Sequence, residues 1–151
     1  MITMSHMQLR TLNFALPLVK KLFNTPMPGQ SAMRLKTLMS ALGKESERIN
    51  AISQDILSEE KWAKKNEEGK VMRPDGNAFD YVVDPEKAEE FQKVRDEFEN
   101  ATFTLDMPKL STKDILPWIQ LSVTELEILS PILEPYTEHQ PPAKLRAVEE
   151  V

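Results

Sequence analysis

The stretch Ser31–Trp62, SAMRLKTLMSALGKESERINAISQDILSEEKW, decides the fold. Leu35, Leu42, Ile49 and Ile56 are spaced by seven, and Leu38 and Ile52 interleave, which is a heptad seam on one helical face. Glu45 stands where the next seam residue is expected. A continuous helix of this span measures ~45 Å, longer than one small core normally covers. Two readings follow. The first helix and a later one pack along the seam, or part of it pairs with another chain. Gly43 lowers helix stability and predicts a bend or a close helix approach.

Upstream, Leu9, Leu12, Leu16, Val19 and Phe23 mark one face of a helix over Gln8–Asn24. Pro17 lies inside it and predicts a kink or split near Leu16. Thr25-Pro26-Met27-Pro28-Gly29 breaks the pattern before the long helix begins. Ser5-His6-Met7 is a sequence that cloning sites commonly leave behind. The natural start is therefore read at Met7, with residues 1–6 a vector-derived leader outside the fold.

Downstream, Lys70–Arg73, Pro74-Asp75-Gly76-Asn77 and Ala78–Val83 read as strand, turn and strand, with Phe79, Tyr81 and Val83 on the half-buried side. Asp84-Pro85-Glu86 starts a helix whose stripe is Ala88, Phe91, Val94 and Phe98. Thr102–Met107 alternates and predicts a strand that joins the hairpin. Ser111–Asp114 starts a short turn or helix. Ser122-Val123-Thr124-Glu125 has the capping-box spacing and opens a helix carrying Leu126, Leu129 and Leu133, which Pro131 limits. From Pro135 on, periodicity gives way to prolines and polar residues, so 135–151 reads as a flexible tail. The fold class is α+β and mainly helical: one long helix, two or three helices packed with it, and a small antiparallel sheet or hairpin. Residues 7–134 form a single domain, which suits a chain of 151 residues.

Composition narrows function. The net charge of −5, from 19 Lys and Arg against 24 Asp and Glu, argues against nucleic acid as main partner. No run approaches the ~18 apolar residues of a membrane span. There is no cysteine, and the two histidines, His6 and His139, sit near the ends. The common nucleophile, base and zinc sets cannot be assembled from such a chain. The four glycines are too far apart for a standard phosphate loop. Asp75, Asn77, Asp80 and Asp84 cluster near the turn but lack calcium-loop spacing, and read as turn residues. No catalytic residue, metal site or cofactor is assigned. Trp62, Tyr81 and Trp118 are the candidate protein-binding residues, because aromatic side chains concentrate at interface hot spots.

The order of elements resembles a family of small tailed-phage proteins of unknown function. The corresponding residues are Leu9–Phe23, Thr25–Gly29, Ser31–Trp62, Asn66–Lys70, Phe91–Phe98, Thr102–Met107 and Ser122–Leu133. The likeness covers about residues 7–134 and departs at the longer Val71–Val83 hairpin and at the tail after Pro135. The family has no assigned catalytic residues, so none transfers. The resemblance implies a phage origin and hence a bacterial host cytoplasm, with virion association as a further location. The expected function is non-enzymatic: an accessory protein that inhibits or modulates a host or phage protein by covering its surface. The alternative is a virion structural or assembly protein that self-associates through the long helix.

Overall fold

The computed structural model describes residues 1–77 and 79–135. The described residues are mainly helical α+β, 57% of them in helix, with a two-stranded antiparallel sheet. In order, the elements are β1 (Ile2–Ser5), α1 (His6–Phe14), α2 (Leu16–Asn24), α3 (Gly29–Ile56), α4 (Glu59–Trp62), a 3-10 turn (Pro85–Lys87), α5 (Ala88–Asn100), β2 (Thr102–Leu105), α6 (Thr112–Ile115) and α7 (Val123–Leu129). They sort into two compact units, neither of them a continuous stretch of chain. The first holds Met1–Thr3, Thr11–Leu38 and the chain from Thr104; the second holds Met4–Arg10 and Met39–Phe103. The expected tail falls almost wholly outside the described residues.

The first unit buries Ile2, Leu12, Leu18, Leu22, Leu35 and Leu38 with Leu110, Ile115, Ile119, Leu129, Ile132 and Leu133. The split at Pro17 occurs as expected, and it resets the helical phase. Ala15 leaves helical geometry at ψ 62, and Pro17 sits in the first turn of α2, where its missing N–H is not needed. The buried side of α2 is consequently Leu18 and Leu22. Leu16 and Phe23, expected to face inward, are 58% and 57% exposed. Leu110 and Leu133 form a parallel bridge, with Leu110 N–H donating to Ile132 and Glu134 N–H donating to Leu110.

The second unit buries Met4, Leu9, Leu42, Ile49, Trp62, Ala63 and Phe103. Leu35, Leu38, Leu42 and Ile49 of the seam are thus taken up within the chain itself. A Cβ at Gly43 would meet no atom within 4 Å, so no element approaches closely there, contrary to one of the two expectations for this glycine.

Four further expectations differ from the structure. Residues 1–6 belong to the fold. Ile2 and Met4 are fully buried, because their alternation with Thr3 and Ser5 suits a strand with one covered face. β1 also replaces the hairpin as partner of β2: Thr3 and Thr104 hydroxyls meet at 3.2 Å, and His6 N–H donates to the Ala101 carbonyl at 2.9 Å. The hairpin itself is reduced to single bridges, Ala63 to Val83 and Lys65 to Val71. Lys64, leaving α4, takes bonds from both arms: it donates to Val82 and accepts from Met72. The turn is nevertheless formed, with Gly76 at φ 78 and Asn77 N–H donating to the Pro74 carbonyl. Phe79, expected on the half-buried side, is 99% exposed.

Two stability outcomes follow. Gly43→Ala raises unfolding free energy by about 0.8–1 kcal/mol in urea titration, since helix propensity improves and nothing obstructs the methyl group. Met4→Ala lowers it by about 2–5 kcal/mol, as expected for a fully buried side chain; an unchanged midpoint would show that β1 is not part of the folded core.

Candidate functional site

Two of the three candidate aromatics are committed inside the second unit. α3 stops at Ile56, and the chain turns through Leu57 and Ser58 before α4, so the long helix does not run unbroken to Trp62. A helix end leaves carbonyls without intrahelical partners. Trp62 Nε1–H donates to the Ile56 carbonyl at 2.7 Å, and the Tyr81 hydroxyl donates to the Leu57 carbonyl at 2.5 Å. Phe91 of α5 meets both rings edge-on, at centroid distances of 5.6 and 6.4 Å. Burial, with Asp80 and Glu59 adding negative charge, pushes the Tyr81 hydroxyl above its ordinary pKa and keeps it a donor. Trp62 is 9% exposed and offers a partner little surface.

Trp118, in the first unit, is 47% exposed. Ser111 caps α6 by accepting from Lys113 N–H. Ile115 and Ile119 turn inward four residues apart, which carries Leu116 and Trp118 outward. In α7 the expected capping box is present: Glu125 N–H donates to Ser122 Oγ at 3.1 Å, and Ser122 N–H donates to Glu125 Oε1 at 2.9 Å. Lys21 of α2 fixes the same corner, donating to Glu125 at 2.8 Å and to the Gln120 carbonyl at 3.1 Å. The Lys21 hydrogen bond and the Ser122 amide hold the Glu125 carboxyl below its ordinary pKa. On this pinned segment Leu116, Trp118, Val123 and Leu126 are 38%, 47%, 75% and 37% exposed.

The first unit also has an open cleft of about 580 Å³ between the start of α3 and the segment Met107–Asp114. Its apolar lining includes Met33, Leu38, Met107 and Leu110. At the same cleft Arg34 Nη1 donates to both carboxylate oxygens of Asp114, at 3.0 and 2.9 Å. Unbranched methionines adapt to differently shaped apolar side chains, so the lining suits a side chain or short peptide.

Three of the four Asp and Asn side chains near the turn accept backbone hydrogen bonds. Asn77 accepts from Phe79 N–H, Asp80 from Tyr81 N–H and Asp84 from Glu86 N–H. Among the described residues no three His, Cys, Asp or Glu side chains converge on a metal-sized space, and no helix is long and apolar enough to cross a membrane. In the second unit Glu99 is buried between Arg10, at 2.7 Å, and Arg95, at 3.4 Å. Burial alone would raise its pKa; the hydrogen bonds and charges of the two arginines outweigh that and hold it low.

The charges of the sequence are also segregated along the chain. Residues 1–44 contain six Lys and Arg and no acid, while all 24 Asp and Glu lie beyond. Within the units, half of those cations find acids from the later sequence: Arg10 with Glu99, Lys21 with Glu125 and Arg34 with Asp114. No known family profile, curated protein or solved structure matches this chain.

Trp62→Phe keeps an aromatic ring but removes the indole N–H and part of the buried volume, so it lowers unfolding free energy by about 1–3 kcal/mol in urea titration. A carboxyl with a lowered folded pKa stabilises fully above its unfolded pKa and ceases to as pH falls through the folded value. Wild-type melting temperature therefore drops more steeply with acid below about pH 5 than that of Glu99→Gln, and parallel curves would remove Glu99 from the acid response.

Proposed function

We propose that this chain is a non-enzymatic accessory protein of phage origin that binds a host or phage protein and modulates it by covering its surface. The observation that carries this reading is the exposure of Leu116, Trp118, Val123 and Leu126 along one short segment that the capping box and Lys21 hold in place. A pre-ordered apolar surface loses little conformational freedom on association, and a half-exposed tryptophan in its midst is a natural anchor. Trp62 and Tyr81, bonded within the second unit, lie outside this surface. The phage origin and the host cytoplasm rest on the resemblance in element order. The assembly alternative draws less support, because the seam residues Leu35, Leu38, Leu42 and Ile49 are already covered by the chain's own atoms.

The test uses the immobilised full chain to capture partners from bacterial lysate, with mass spectrometry to name them and Trp118→Ala as the comparison. A named partner should bind the variant roughly 30-fold more weakly, the loss expected of a hot-spot residue. Equal affinity for a correctly folded Trp118→Ala protein would end this assignment.

A further inference from the structure

α2 is apolar on two sides. Leu18 and Leu22 face the core of the first unit, while Leu16 and Phe23 stand on the opposite side, 58% and 57% exposed; Phe14, just before the break, is 76% exposed. Beside Phe23, the end of α2 and the first turns of α3 enclose a hollow of about 240 Å³, lined by Met27, Leu35 and Lys36 among others. Lys20 lies on the outward face between Leu16 and Phe23, at four- and three-residue spacing. Lys20 and Lys36 are exposed, and among the described residues neither forms an ion pair. The other cations of this part of the first unit, Lys21 and Arg34, are neutralised by Glu125 and Asp114. The sequence supplies no acid before Glu45. The outward face therefore combines bare phenylalanine and leucine with two lysines that no ion pair neutralises among the described residues.

We infer that the outer face of α2 and the adjoining hollow form a docking site for an acidic amphipathic segment of a protein partner. The segment's large apolar side chain enters the hollow against Phe23, and its Asp or Glu residues meet Lys20 and Lys36. Apolar area supplies most of the affinity, and the lysines set orientation and reject basic segments. This site is separate from the Trp118 surface and is tested separately.

The experiment titrates the full chain into a fluorescein-labelled synthetic helix-forming peptide of about fifteen residues, with leucines at three- and four-residue spacing and glutamates between them. Fluorescence anisotropy should show saturable binding that weakens with salt. It should weaken about tenfold or more in Lys20→Glu/Lys36→Glu and in Phe23→Ser. Trp118→Ala should bind the peptide as the wild type does, so failure here leaves the Trp118 reading standing. The surface lysine variant keeps the test valid if Phe23→Ser does not fold. Absence of saturable binding, equal binding of the peptide with lysines in place of glutamates, or equal binding by the lysine variant overturns the site. So does a concentration-dependent dimer in sedimentation that Lys20→Glu/Lys36→Glu abolishes, because the occupant is then a second copy. Binding to phosphatidylserine vesicles but not to the peptide overturns it in favour of a lipid surface.

Discussion

A helix that stops inside a folded chain must find donors for its last carbonyls, and here one aromatic side chain bonds the final carbonyl of α3 and a second bonds that of the residue after it. The indole of Trp62 reaches Ile56 and the phenol of Tyr81 reaches Leu57. Both donors come from residues beyond the helix, so ending α3 and ordering the chain after it are one event. Tyr81 arrives only if the Pro74–Asn77 turn brings it back, and Phe91 of α5 then lies against both rings. The bridges at Ala63, Lys65, Val71 and Val83 are single and offer little by themselves. The aromatic contacts add to the backbone bonds Lys64 to Val82, Val82 to Met72 and Asp84 to Trp62 in placing that irregular segment within the second unit.

Charge acts on a coarser scale. With every acid placed after residue 44, the cations from Arg10 to Lys36 have no acid within eight residues and meet acids only through tertiary contacts. The Arg10–Glu99, Lys21–Glu125 and Arg34–Asp114 pairs join residues far apart in sequence within their own units. Half-exposed pairs of this kind add modest stability, but like-charge contacts disfavour wrong pairings, so the arrangement favours specificity over strength. It also determines which cations remain outward.

Much of the fold was legible because local chemistry and tertiary structure agree. Pro17 split the first helix, Asp84-Pro85 began the 3-10 turn that leads into α5, and Ser122 with Glu125 capped α7 as their spacing requires. The misreadings have physical causes. A helical stripe is continuous only while the helix is, so the break at Ala15 turned Leu16 and Phe23 outward. Alternation at Val71–Val83 suits a strand, but Lys64 takes backbone bonds from both arms and no ladder grows. The opening residues resemble a cloning remnant, yet Ile2 and Met4 alternate with polar residues just as β1 requires. Of the candidate site, tryptophan and tyrosine were identifiable as residue types. Whether such a ring anchors a partner or closes a helix depends on which carbonyl lies within reach, which composition does not specify.

The central claim is this division of labour: Trp62 closes a helix and Trp118 faces outward. The chain has two tryptophans, so Trp62→Phe and Trp118→Phe each leave a single fluorescent reporter. Acrylamide quenching of the two variants under native conditions measures the distinction directly. The Trp118 reporter should be quenched several-fold more efficiently than the Trp62 reporter, with the difference vanishing in denaturant. Equal quenching in the folded state, or a more accessible Trp62, would contradict the account.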